Sequence, residues 1–180
     1  MLETSAPFLL DTVSQPYKIA TLLYCFDESD RVLLLRRNFE PNLGLWSPCG
    51  GKLKTDMGES PYDCAVRELK EETGMEADTE DLHLTGVVSE QGVEGQPHWL
   101  MFLFEVKKRF REVPPVHPEG EFAFFTRAQM EELLMPQTDW DYIWPLFWKY
   151  RSGFFSARCR MLGSGKFEWK VEEDWLPAGE

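Results

Sequence analysis

The chain has 180 residues, 43% of them hydrophobic and 14% aromatic. That is enough apolar side chain for one domain with a sizeable core, and too much for a disordered chain. The formal net charge of −12 leaves no basic footprint for gripping duplex DNA, and an acidic protein that acts on a polyanion must bring positive charge locally, as Lys/Arg or as a metal.

Residues 1–15 have mixed polarity and read as a loose arm. Residues 17–26 and 31–37 are apolar and β-branched on either side of Asp27-Glu-Ser-Asp30, which predicts a hairpin ending in Arg36 and Arg37. Those two arginines are either solvated strand ends or planar forks for a phosphate. Residues 38–49, with Pro41, Gly44 and Pro48, predict a loop. In it Trp46 is a plug for the sheet or an aromatic wall for a ligand. Residues 82–90 and 98–106 predict two more strands, the second apolar enough for burial on both faces. Residues 107–120 are charged and rich in proline, a long loop with Glu119 and Glu121 at its end. Thr126 predicts a cap for a helix over 127–134, and a second helical segment begins near Thr138-Asp139. Trp140, Trp144 and Trp148 make an i, i+4, i+8 stripe there that suits a core, and Pro145 either kinks that helix or resets its start. Residues 154–161 and 166–171 predict a closing hairpin.

The four cysteines (Cys25, Cys49, Cys64, Cys159) show no Cys-x-x-Cys spacing and no adjacent histidines, which argues for reduced thiols rather than a zinc site. No apolar run approaches the roughly 18 residues of a membrane span, and no signal-peptide pattern opens the chain. A cytoplasmic protein with neither nucleic-acid nor membrane partners is expected, as a monomer or a homodimer and as a single domain over 1–180.

The most informative stretch is 50–75. Ser60 suits an N-cap, Pro61 the first helical position, Asp63 a Ser-x-x-Asp cap, and Gly74 a left-handed C-terminal residue. Tyr62, Ala65, Val66 and Leu69 form an apolar stripe for docking. Glu68, Glu71 and Glu72 stand at i, i+3 and i+4 on another face, where like charges repel by roughly 0.2–0.5 kcal/mol per exposed pair. Such a face is either solvated or relieved by a hard divalent cation held by oxygen ligands.

Glu59, seven residues, then Arg67-Glu68-Leu69-Lys70-Glu71-Glu72-Thr73-Gly74-Met75, preceded by Gly50-Gly51-Lys52, resembles the signature box of the Nudix hydrolases. The resemblance spans most of residues 17–173. It implies a Nudix-type α/β/α sandwich, an α/β (α+β) fold with a mixed central β-sheet. It also implies Mg²⁺, with Mn²⁺ as a substitute, held by Glu68, Glu71, Glu72 and the Gly51 carbonyl. Arg67 would orient the carboxylates, and Glu59 would pair with Arg67 or reach the metal through water. Glu68, Glu119 and Glu121 are the general-base candidates. Seven residues separate Gly51 from Glu59, two more than the family pattern has, which puts the place of the Gly51 carbonyl in question.

Asp139-x-x-Tyr142-x-x-Pro145-Leu146 and Gly153-Phe154-Phe155 are similar to mammalian MutT-like members that hydrolyse oxidised purine nucleoside triphosphates such as 8-oxo-dGTP. Leu45-Trp46-Ser47 adds to that likeness. It implies Trp46, Ser47, Trp99 and Asp139 as nucleobase contacts, with Arg36 and Arg37 nearer the phosphates. The expected activity is hydrolysis of a nucleoside triphosphate to the monophosphate and pyrophosphate. The alternatives are another nucleoside diphosphate derivative, such as a dinucleoside polyphosphate or a nucleotide-sugar, or a domain that binds nucleotides without turnover.

Overall fold

The computed structural model describes residues 16–40, 42–92, 96–162 and 165–178; the expected arm at 1–15 lies outside them. Eight strands form one mixed sheet: β1 (Tyr17–Asp27), β2 (Val32–Arg37), β3 (Trp46–Ser47), β4 (Leu82–Gln91), β5 (His98–Phe110), β6 (Gly120–Phe125), β7 (Phe154–Met161) and β8 (Phe167–Trp175). Their order is β3-β2-β1-β5-β4-β7-β8, with β6 on the other side of β2. The pairs β1·β5 and β4·β7 are parallel and the rest antiparallel. The mixed sheet agrees with expectation, as does the apolar β5 at its centre.

Helix α1 (Pro61–Thr73) covers one face and α3 (Trp144–Tyr150) the other. Alternation along the strands supplies both cores. Leu23, Cys25, Leu33, Leu35 and Phe104 pack with Ala65 and Leu69 of α1. Tyr24, Phe26, Val32, Leu34 and Leu103 pack with Trp144 and Phe147 of α3. Leu69 is fully buried, so truncating it to Ala costs about 2–5 kcal/mol. The caps of α1 form as the sequence suggests. The Asp63 N–H donates to Ser60 Oγ at 3.1 Å, and Gly74, at φ 75°, donates its N–H to the Lys70 carbonyl.

Several boundaries differ from expectation, each for a local reason. β5 runs on to Phe110 instead of stopping near Val106, because a bulge lets Arg109 and Phe110 re-pair with Phe26 and Asp27. The long loop expected over 107–120 is correspondingly shorter. The helix expected over 127–134 is one turn, α2 (Arg127–Met130), followed by i→i+3 bonds such as Leu133 N–H to Met130 O. Asp139–Ile143 form a π-type turn, and α3 starts afresh at Trp144 with Pro145 in its first turn. The wider turn breaks the tryptophan stripe: Trp144 is buried, whereas Trp140 is 38% exposed. No helix among the described residues is long and apolar enough to cross a membrane.

Candidate active site

The site is built where the sheet splits. β1 pairs with β2 only at Cys25↔Leu33 and Phe26↔Val32, then the two strands diverge. The segment after β3 fills the gap, bridging β1 at Leu23↔Cys49 and Ala20↔Lys52. Two glycines make this insertion possible. Gly50 has φ +134°, and a Cβ there would lie 2.2 Å from the Thr21 carbonyl oxygen. A Cβ on Gly51 would lie 2.3 Å from the Glu68 carboxyl carbon. The Gly51 carbonyl accepts the Thr21 N–H at 2.8 Å. The longer loop thus keeps Gly51 against the acidic helix. Its extra length turns outward as a 3-10 turn over Thr55–Met57, closed by left-handed Gly58 and by the Lys54 N–H donating to Glu59 Oε2 at 2.8 Å.

Arg67 organises the α1 carboxylates. Its Nε and Nη2 donate to the two Glu59 oxygens at 2.7 and 2.9 Å, and its Nη1 donates to Glu68 at 2.6 Å and Glu71 at 3.0 Å. Nη2 also donates to the Lys52 carbonyl at 3.2 Å, tying the helix to the glycine loop. This fork of charge-assisted bonds holds the Glu59 carboxyl down to about 2 and raises the Arg67 pKa. Of the two roles open to Glu59, the structure shows the pairing with Arg67.

Glu72 is different. It is 6% exposed, and the Gly50 N–H donates to its Oε2 at 2.9 Å. Burial pushes its carboxyl up to about 8, with Glu119 and Glu68 adding repulsion while Gly50 and Arg37 oppose the rise. Glu68 is also raised, by burial first and then by Glu71 and Glu119, with Arg67 opposing. Glu119 therefore faces the helix carboxylates electrostatically. Glu121 is 59% exposed at its side chain and pairs with Arg36 at 3.5 Å. Arg36 and Arg37 point to opposite sheet faces by strand alternation, which places Arg37 on the α1 side with Glu72.

Among the described residues no group of three His, Cys, Asp or Glu side chains is placed to hold an ion outright; Arg67 occupies oxygens of Glu68 and Glu71. The donor chemistry nevertheless fits a hard divalent cation. Buried carboxylate oxygens repel one another across the site, and among the described residues Glu72 is matched by one backbone N–H and no ion pair. A cation would reverse the rise in its pKa.

A family model described as the NUDIX domain matches residues 16–156. The chain belongs to the NUDIX domain family. Among solved structures, the chain is similar to a MutT protein of Bacillus halodurans, with 25% identity over 86% of this chain and 97% of that one at a TM-score of 0.66. A MutT protein of Methanosarcina mazei Go1 shares 23% identity over 78% and 96%, at TM-score 0.62. The NUDIX domain of Shewanella oneidensis NrtR, solved in complex with ADP ribose, shares 16% over 76% and 88%, at TM-score 0.59. The family match and the likeness to the Bacillus halodurans protein make the chain a MutT-like Nudix pyrophosphohydrolase, the other two structures sharing its fold, and β8 extends the Nudix sheet beyond the residues matched by the family model.

Of the residues singled out for a nucleobase, Trp46, Trp99 and Asp139 lie on the α3 side of the sheet, whereas Ser47, the register partner of Leu35, falls on the α1 side by strand alternation and is not brought together with them. Trp46 packs edge-to-face on Phe125 at 4.8 Å and borders the α3 core, with its ring half-buried. Ser47 is buried, 8% exposed, and pairs with Leu35. Trp99 is half-buried with Lys18 Nζ 5.4 Å from its ring. Asp139 opens the π-type turn, and burial pushes its carboxyl up to about 7, with Glu90 adding repulsion. Glu90 escaped the sequence reading. β4 carries a bulge at Thr85, between Leu84 and Gly86, so its alternation flips: Leu82 and Leu84 face α1, whereas Val88 and Glu90 face α3. The Gly in an otherwise apolar strand was the available signal.

Proposed function

We propose that this Nudix domain hydrolyses a nucleoside triphosphate to the monophosphate and pyrophosphate, with an oxidised purine triphosphate as the substrate class, in the cytoplasm. The observation that carries the reading is the single site at which Arg67 gathers Glu59, Glu68 and Glu71 while the carboxyls of Glu72 and Glu119 face the same space. Attack on a polyphosphate is opposed by charge, so groups that neutralise, align and accept a proton are what the site must supply.

Glu68, Glu71, Glu72 and the Gly51 carbonyl would hold Mg²⁺ or Mn²⁺. Bound there, the ion supplies charge neutralisation and acidifies water. The chain's own residues do the rest. Arg67 fixes the carboxylate rotamers through five donor contacts to Glu59, Glu68, Glu71 and Lys52. Glu59 anchors Arg67 and is itself held by the Lys54 N–H. Arg37, on the α1 side, adds positive potential for phosphate. Glu119 takes the proton of the attacking water, with Glu68 the other residue suited to that role. Trp99 and Asp139 contact the base, one by its ring and one by its carboxyl.

The test is a panel of nucleoside triphosphates, dinucleoside polyphosphates and nucleotide-sugars with Mg²⁺, products resolved by chromatography. Monophosphate plus pyrophosphate, fastest with an oxidised purine triphosphate, is the expected result. Release of phosphate alone, or turnover confined to nucleotide-sugars, overturns it.

A further inference from the structure

On the α3 face, strand register sets five side chains in one row across the sheet. Lys18 of β1 pairs with Trp99 of β5, Trp99 with Glu90 of β4, Glu90 with Cys159 of β7, and Cys159 with Trp169 of β8. Register partners share a face. The next row inward is small or apolar: Ala20, Met101, Val88 and Ala157. The outer row is therefore a shelf with aromatic rings at two positions and a carboxyl between them, above an apolar floor. Lys18 lies over the Trp99 ring at one end, and Tyr142 of the π-type turn stacks on Trp169 at the other, with centroids 4.7 Å apart and planes at 12°. Asp139 opens that same turn and feels the charge of Glu90.

Glu90 is the odd member of this row. Its side chain is half-buried, and among the described residues it has no hydrogen bond or ion pair. The same burial raises its pKa. A half-buried carboxyl without a partner costs stability, and a folded chain keeps such a group where a ligand completes it. Aromatic faces on both flanks make the ligand planar. Two carboxyl groups, Glu90 from the sheet and Asp139 from the turn, make its edge rich in N–H donors.

We propose that Glu90 is a specificity-determining residue that accepts N–H bonds from the edge of a bound amino-oxo purine ring, beside Asp139. This rests on the nucleotide reading of the site above. A ring with an exocyclic amine next to a ring N–H satisfies one carboxylate with two bonds, which a ring lacking either donor cannot do. Loss of a hydrogen bond to a charged group is worth about tenfold or more in binding.

The test uses the full chain and nucleosides without phosphate or added metal, read by tryptophan fluorescence with guanosine, inosine and cytidine. Guanosine is expected to bind the wild type better than inosine, which lacks the exocyclic amine. Glu90→Gln should weaken guanosine about tenfold and leave cytidine unchanged. The melting temperature of Glu90→Gln should equal or exceed that of the wild type, because an unpaired carboxyl is removed. A lowered melting temperature, an equal loss for guanosine and cytidine, or no loss for guanosine each overturns the assignment. Hydrolysis is scored separately: guanosine discrimination lost in Glu90→Gln with no triphosphate turned over by the wild type keeps this inference and sinks the hydrolase reading. Turnover with unaltered guanosine binding does the reverse.

Discussion

Glu72→Gln separates the cost of the acidic site from its use. An ordinary glutamate titrates near 4.5, and burial with Glu119 and Glu68 nearby pushes Glu72 up to about 8 in the folded protein. Each tenfold change in proton affinity is worth about 1.4 kcal/mol. The sign follows from linkage: between 4.5 and 8 the folded state holds a proton that the unfolded chain has released, so stability falls as pH rises through this window. The penalty is absent below 4.5, reaches roughly 3 kcal/mol at pH 7 and levels off at roughly 5 kcal/mol above pH 9. Glutamine matches the protonated acid in shape, and its amide oxygen can still accept the Gly50 N–H. Urea unfolding of EDTA-treated protein should therefore show Glu72→Gln to be several kcal/mol more stable than the wild type at pH 9, with the two converging at pH 4. Metal-dependent hydrolysis should be lost in the same variant. Equal stability at pH 9, or undiminished turnover, would refute the reasoning.

Glu119→Gln should lower kcat by about 10²–10⁴-fold and Glu121→Gln hardly at all, in steady-state assays at saturating substrate; equal minor effects would return the base to Glu68. Gly51→Ala drives a methyl to 2.3 Å from the Glu68 carboxyl carbon. It should cost about 1–3 kcal/mol in urea unfolding and remove most activity; wild-type kcat would show that the loop is not held against α1. Asp139→Ala should raise KM for purine triphosphates about tenfold more than for pyrimidine ones, and a uniform change would reduce Asp139 to a residue that starts the π-type turn.

The acidic helix was legible because its signals are local. Ser60, Pro61 and Gly74 fix where α1 starts and stops, and 3.6-residue spacing fixes which side chains share a face. The strands were legible for the same reason, and their ends less so. What lay outside the sequence reading is set by pairing across the sheet. The bulge that re-pairs Arg109 with Phe26 lengthens β5 through residues whose charge reads as loop. The bulge at Thr85 flips Glu90 to the face that Asp139 shares. The π-type turn shifts the phase of Trp140 by less than one residue, which is enough to take it out of the core. Each is a shift of two residues or fewer whose stabilisation comes from a distant partner, so no window of sequence contains its cause.

The glycine loop shows the same logic in reverse. Its two-residue excess is conspicuous in sequence, yet it is local in structure. The loop has two jobs: to seat Gly50 and Gly51 against β1 and α1, and to return the chain to Ser60. The first is done by contacts before the extra residues, through Thr21 N–H to Gly51 O and Gly50 N–H to Glu72. The second is done after them, by Glu59 holding both Arg67 and the Lys54 N–H. Between these fixed ends the chain needs only to close, and closing a slightly longer loop costs a small fraction of a kcal/mol. The excess therefore goes into an exposed 3-10 turn ending at Gly58, and the spacing between Gly51 and Glu68 is set by their direct contact instead of by the count of residues between them.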